Sequence, residues 1–253
     1  MKPSKPDSKN PLDLDSDLDA VREKYKQERD KRMRTEGAAQ YRELTTESTL
    51  NDIDPYVEPG FTRAPIEEET EVVIIGGGFG GLLMSARLRE VGIEDFRIIE
   101  AAGDFGGTWY WNRYPGVQCD VESYVYMPLL EELGTIPTEK YAHGPEIFAH
   151  AQAIGRHYDL YKNTSFQTQV SALEWDNGAE RWSVGTDRND RIHARFVCMA
   201  TGPYSKPKLP GIQGLDEFAG DTFHTSRWNY DCTGGDTTGG LRNLAGKRVG
   251  VIG

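Results

Sequence analysis

Residues 71–81 read EVVIIGGGFGG, a β-branched apolar run that ends in five glycines broken by one phenylalanine. A short apolar run bounded by glycine predicts a buried strand entering a tight turn. The next stretch, FGGLLMSARLREVG, carries a helical period, with Leu82, Leu83, Ala86, Leu88 and Val91 on one side. DFRIIEAA then predicts a second short strand. Strand, helix and strand in this order make a β-α-β unit, which requires a parallel sheet and a right-handed crossover. Gly76, Gly78 and Gly81 fit G-x-G-x-x-G in the place where that pattern carries meaning, after a strand and opening a helix. Gly76 permits the turn, Gly78 lets a pyrophosphate approach the backbone, and Gly81 lets the helix pack on the strand. Free N–H groups at the helix start can then hold a diphosphate without a cationic side chain. Glu100 ends the second strand, where a carboxylate accepts hydrogen bonds from ribose hydroxyls and repels a 2′-phosphate. The turn therefore suits the ADP half of FAD or NAD and disfavours NADP; the bland alternative is a glycine-rich turn with no ligand.

Working outward, 166–175, 180–186 and 191–201 alternate as strands, with turns at Asn177-Gly178 and Asn189-Asp190. They predict an antiparallel meander whose last strand returns to the main sheet. Upstream, 1–16 are polar with three prolines and read as a mobile tail. Residues 17–34 predict a charged helix that Ser16 or Asp17 can cap; its apolar set, Leu18, Val21 and Tyr25, is thin. Residues 37–68 read as a loop-rich connector. The fold class expected is α/β, a Rossmann-like domain with a parallel sheet and an antiparallel meander.

The totals narrow the function. The 253 residues carry a net charge of −11, which argues against a general nucleic-acid binder. No apolar stretch reaches the ~20 residues of a bilayer span, and no secretory signal is visible. Cys119, Cys198 and Cys232 show neither metal-ligand spacing nor a paired framework, so no metal is expected and a reduced, cytoplasmic setting is.

Two further stretches stand out. GDFGGTWYWNRYPGVQCDV (103–121) places Trp109, Tyr110 and Trp111 side by side. Three adjacent aromatics cannot all enter one core, so at least one is expected to face a cleft. Asp120 near such a cleft could orient a cation or a histidine. FAGDTFHTSRW (218–228) gathers Phe218, Gly220, His224 and Trp228. His143, His150 and His157 read as ordinary structural histidines along one helix flank.

These stretches carry a resemblance. GGTWYWNRYPGVQCD resembles a motif of the Baeyer–Villiger monooxygenases, matched at Gly107, Trp109, Tyr114, Pro115, Gly116 and Asp120. FAGDTFHTSRWN is similar to that family's fingerprint at Phe218, Gly220, His224 and Trp228, and departs from it at Asn229, where the family prefers Pro or Asp. MATGPYSKPKLPGIQG (199–214) is similar to the hinge of flavoproteins with two dinucleotide-binding domains. EKYKQERDKR, EKYAHGPEI and FHTSRWNYDCTGG resemble the subgroup acting on large cyclic or polycyclic ketones, which includes fungal meroterpenoid-pathway enzymes.

The resemblance implies an FAD- and NADPH-dependent enzyme that inserts one oxygen of O2 beside a ketone carbonyl, giving an ester or lactone. It implies that Thr108, Trp109, Tyr110 and Trp111 line the flavin, with Asp120, Val121 and Tyr126 continuing that wall. Gln118, Cys119 and Asp120 approach the nicotinamide, and Asp120 orients an active-site arginine absent from this chain. His224 and Trp228 couple NADP position to catalysis. It further implies three segments: an extension at 1–68, the FAD-binding part at 69–215, and a linker with the first strand of an NADPH domain at 216–253. GKRVGVIG (246–253) would be that strand, with Gly253 as the first glycine of its turn. On this reading the chain is truncated, inactive alone, and open to a partner chain that completes the fold. The alternatives are a non-catalytic FAD-binding remnant and an amine- or sulfide-oxygenating relative, the latter disfavoured by Trp228.

Overall fold

The computed structural model describes residues 14–43, 54–204 and 206–252. Residues 1–13 of the expected tail and Gly253, together with the roles expected of them, lie outside the described residues. The chain divides into two compact units. The smaller holds α1 (Leu14–Arg32) and Pro210–Gln213; every other element below belongs to the larger.

Helix α1 begins earlier than expected and stops at Arg32, so Ser16 and Asp17 lie within it instead of capping it. Its side chains pair along the helix, Arg22 with Asp19 at 3.1 Å and Lys31 with Glu28 at 2.8 Å. Leu18, Val21 and Tyr25 are exposed on it. Exposed i,i+3 pairs of this kind add only a few tenths of a kcal/mol each.

In the larger unit, β1 (Glu67–Ile75), α2 (Phe79–Glu90) and β2 (Phe96–Ile99) form the expected unit. They are followed by α3 (Thr108–Trp111), α4 (Gly144–His157), β3 (Thr164–Ser165), β4 (Val170–Asp176), β5 (Arg181–Thr186) and β6 (Arg191–Met199). The sheet is mixed and six-stranded, in the order β3-β2-β1-β6-β5-β4. The meander is continuous with the nucleotide half because β6 pairs parallel with β1 along its length, from Glu67 opposite Arg191 to Ile75 opposite Met199. That pairing is why β1 starts at Glu67, ahead of the apolar run and ahead of the expected boundary at 69. Its first residues are held by backbone bonds to β6 and not by side-chain burial.

The period of two in β1 divides the core. Val72 and Ile74 face α2 and α4, packing with Leu82, Ala86, Ile98, Phe105 and Ile154. Val73 and Ile75 face the other way, onto Val184, Ile192 and Ala194. Each fully buried aliphatic side chain contributes about 1.5–3 kcal/mol. Val91, expected inside, is exposed, because α2 ends at Glu90. His150 is the structural histidine expected: it is buried, and its Nε2 meets the Pro128 carbonyl at 2.6 Å.

The expected strand near the C-terminus does not form. Residues 247–252 have no strand geometry, and Val249, Val251 and Ile252 are exposed. A β-branched run becomes a strand only when a neighbour takes up its N–H and C=O groups, and among the described residues none lies beside it.

Candidate active site: a glycine-walled cleft

The site begins where β1 stops. Gly78 precedes the first turn of α2, and no side chain caps the helix. The N–H groups of that turn, which a helix leaves unpaired, are therefore available to a ligand together with the positive end of the helix dipole. A second glycine turn, Gly106-Gly107, closes on the first. The Gly106 N–H donates to the Gly77 carbonyl at 3.0 Å. A Cβ on Gly107 would lie 2.8 Å from the Gly78 Cα, so the two backbones meet at a distance that only glycine permits.

Glu100 stands at the edge of this double turn. Its Oε1 accepts from the Ala102 N–H at 2.7 Å, and its Oε2 accepts from the Gly77 N–H. Burial pushes its pKa up, and the backbone N–H bonds oppose that rise. The Gly77, Ala101 and Ala102 N–H groups thus take up part of the carboxylate's acceptor capacity and leave a lone pair for a ligand hydroxyl.

Beyond the glycines an aromatic wall continues the cleft. Trp109 donates from Nε1 to the Tyr126 hydroxyl at 2.9 Å, and their rings stand edge-on at 5.9 Å. Phe79 meets Tyr126 at 5.7 Å. Burial raises the pKa of the Tyr126 hydroxyl, while the Trp109 bond opposes it. Thr108 and Trp111 also line the cleft, which is partly open to solvent.

The structure thus brings Gly76, Gly78, Glu100, Thr108, Trp109, Trp111 and Tyr126 together around one cleft. It places the other expected residues elsewhere. Gly81 is buried under the turn, packed on Gly76. Tyr110 is buried away from the cleft, in a cluster with Trp111, Ala102, Tyr56 and Phe148. Trp109, Tyr110 and Trp111 are all buried, but not in one core, and as expected the run also faces a cleft, through Trp109 and Trp111. One helical turn fans them about 100° apart, so Trp109 enters a different cluster from Tyr110 and Trp111. Cys119 is buried in the Trp109 cluster, and Gln118, Asp120 and Val121 are exposed. His224 is half-buried: its Nδ1 accepts from the Ser226 N–H at 3.1 Å, and burial and Arg227 lower its pKa. Trp228 donates to Thr233 Oγ1 at 3.1 Å. Neither lines the cleft, but their neighbour Arg227 stacks 3.8 Å over Trp111, which does.

Sequence reasoning missed Phe79 and the loop Ala200, Thr201, Gly202 and Tyr204, all of which line the cleft. The loop arrives because β6 is the parallel neighbour of β1, so both strands end at the same edge; a Cβ on Gly76 would lie 2.4 Å from the Ala200 carbonyl oxygen. Its one sequence signal was the hinge-like MATGPYSKPK.

Residues 73–234 match the family model of the pyridine nucleotide-disulphide oxidoreductases. The chain belongs to that family. Within it, the chain is similar to the N-terminal portion of Baeyer–Villiger monooxygenases. It is 50% identical to Baeyer-Villiger monooxygenase 4 of Dietzia sp. (strain D5), over 98% of this chain and 40% of that protein. Polycyclic ketone monooxygenase from the thermophilic fungus Thermothelomyces thermophila superposes with a TM-score of 0.86 at 41% identity, covering 95% of this chain and 41% of that one. The OTEMO complex with FAD and NADP superposes at 0.61 and 34% identity, covering 69% of this chain and 32% of that one. The chain spans about 40% of the length of the curated relatives it matches.

Among the described residues the cleft fits FAD. An uncapped helix start is chemically suited to a pyrophosphate, a buried carboxylate such as Glu100 to ribose hydroxyls, and an aromatic wall to a flat ring. No second dinucleotide turn is present among the described residues to receive NADPH in the same way. No described helix is long and apolar enough to cross a membrane.

Proposed function

We propose that this chain is the FAD-binding part of a Baeyer–Villiger monooxygenase, a flavoprotein that uses NADPH and O2 to turn a large cyclic or polycyclic ketone into an ester or lactone. FAD supplies the oxygen-activating chemistry when bound. The observation that carries the reading is the uncapped α2 start beside buried Glu100, closed by a second glycine turn and an aromatic wall.

This chain's own residues bind and orient. The α2 N–H groups hold the pyrophosphate, and Glu100 fixes the ribose. Thr108, Trp109, Trp111 and Tyr126 shape the ring's end of the cleft and shield it from water. Asp120 is exposed, which suits orientation of a cation supplied from beyond these residues. By resemblance, Gln118, Cys119 and Asp120 are assigned to the nicotinamide side, and Val121 to the flavin wall. His224 and Trp228 act as couplers; the contact of Arg227 with Trp111 supports this, since it joins the fingerprint segment to the cleft wall. We assign 69–215 to the FAD-binding part and 216–253 to the linker and the start of an NADPH domain. The cytoplasm suits three free cysteines.

Titrating FAD into the purified chain tests the reading, with quenching of flavin fluorescence as the signal. Glu100→Gln is expected to weaken binding roughly 10- to 100-fold, since a hydrogen bond to a charged group is worth about 1.5–3 kcal/mol. The amide cannot accept from both the Gly77 and Ala102 N–H groups; one of them would face an NH2 donor. Wild-type affinity in the variant would remove Glu100 from the site.

A further inference from the structure

The connector that precedes β1 touches the cleft wall from behind. Asp54 Oδ2 accepts from the Tyr110 hydroxyl at 2.7 Å, and its Oδ1 accepts from the Tyr56 N–H at 2.9 Å. The Tyr56 ring stands edge-on to Tyr110 at 5.7 Å. Arg113 completes the arrangement: its guanidinium lies 3.8 Å over Tyr56 and 4.5 Å over both Tyr110 and Phe148, and its Nε donates to the Tyr110 carbonyl at 2.8 Å.

All of this converges on α3, a helix of four residues. A single turn fixes several backbone dihedrals for few hydrogen bonds and does not hold its own shape. Its orientation is set by whatever grips its side chains. From the connector side it is Tyr110 that is gripped, and the residues on either side of it, Trp109 and Trp111, line the cleft. A rotation of the turn that freed Tyr110 would carry both tryptophans with it. Burial and the neighbouring Asp54 both push the Tyr110 pKa up, so the hydroxyl remains a donor to the carboxylate across the working pH range.

We propose that Asp54 and Tyr56 are positioning residues, which lock Tyr110 and Arg113 and thereby set Trp109 and Trp111 at the angle the bound flavin requires. The connector is then part of the cofactor site, although none of its described residues lines the cleft. This rests on the FAD reading given above.

The test uses the full chain, as wild type, Asp54→Ala, Asp54→Asn, Tyr110→Phe and the double variant Asp54→Ala/Tyr110→Phe. FAD affinity, the visible circular dichroism of bound flavin and thermal unfolding of the apo chain are measured for each. Asp54→Ala and Tyr110→Phe are each expected to raise the FAD Kd about tenfold and to change the visible dichroism, with the double variant no weaker than the worse single one. Asp54→Asn is expected to bind within about threefold of wild type. Its carbonyl accepts from Tyr56, and its NH2 donates to the Tyr110 oxygen. Wild-type affinity and dichroism in Asp54→Ala and Tyr110→Phe would overturn the proposal and leave the FAD site standing. So would losses that merely track apo unfolding and that asparagine does not rescue. A wild-type chain that binds no FAD would instead overturn the FAD reading and this proposal together.

Discussion

Gly81→Ala is expected to break the glycine turn, with a loss of about 3 kcal/mol in stability and no measurable FAD binding. A Cβ there would lie 1.9 Å from the Gly76 carbonyl oxygen and 3.0 Å from its carbon. Those atoms are backbone, so relief requires α2 to lift from β1. The contacts that hold α2 down, Leu82 and Ala86 on Ile74, would part with it. Gly78→Ala is the informative contrast. Its Cβ would meet nothing nearer than the Gly107 Cα at 3.4 Å, an ordinary contact. The folded chain therefore tolerates alanine at 78, and the loss there is of cofactor affinity, because the added methyl occupies space that the pyrophosphate needs. Urea unfolding followed by far-ultraviolet circular dichroism, paired with FAD titration, separates the two. Equal stability loss in both variants would sink the division of roles between these glycines.

The second large effect is expected at Asp190, whose removal by Asp190→Ala should cost about 3–5 kcal/mol, the usual consequence of leaving one member of a buried ion pair alone. Asp190 is 2% exposed. It accepts from Arg63 at 2.6 and 2.5 Å, from the Ile66 N–H at 2.7 Å and from the Thr186 hydroxyl at 2.7 Å. These bonds tie the chain entering β1 to the turn that opens β6, directly beside the first pair of that register, Glu67 and Arg191. Burial alone would raise the Asp190 pKa; the Arg63, Ile66 and Thr186 bonds outweigh it and hold the carboxyl at about 2, against an ordinary 3.8. A folded pKa below the unfolded one means stability that is fully present above pH 3.8 and is lost as pH falls from there through about 2. That loss amounts to roughly 2 kcal/mol at 1.36 kcal/mol per pH unit. Denaturant midpoints measured down this range should fall in the wild type and stay flatter, from a lower start, in Asp190→Ala. A variant as stable as wild type at neutral pH would show that the pair contributes nothing.

The nucleotide turn was legible in the sequence because its parts are close in the chain. A period of two, a glycine turn and a period of 3.6 specify β1, α2 and β2 with no knowledge of what surrounds them, and Glu100 follows from the end of β2. The aromatic run was half legible. Its composition marked it as part of a cleft, but which ring faces inward depends on the angle of one helical turn, and that angle is fixed by Asp54, Tyr56 and Arg113, two of them some fifty residues upstream. The same limit applies at 247–252, where a strand-like pattern forms no strand among the described residues. Side-chain pattern states a preference, and only a neighbouring backbone realises it.

By itself, then, the sequence determined a β-α-β nucleotide turn with its acidic residue, and, through its ordered motifs, the resemblance to Baeyer–Villiger monooxygenases. Only the tertiary structure decided that β6 lies beside β1, which delivers Ala200, Thr201, Gly202 and Tyr204 to the cleft, and that Tyr110 turns away from it toward the connector. The reason is one of range. Hydrogen-bond periods and turn conformations are set by residues within a few positions of each other. Sheet order and the facing of a single helical turn are set by contacts between segments about fifty to more than a hundred residues apart, and no local period records those.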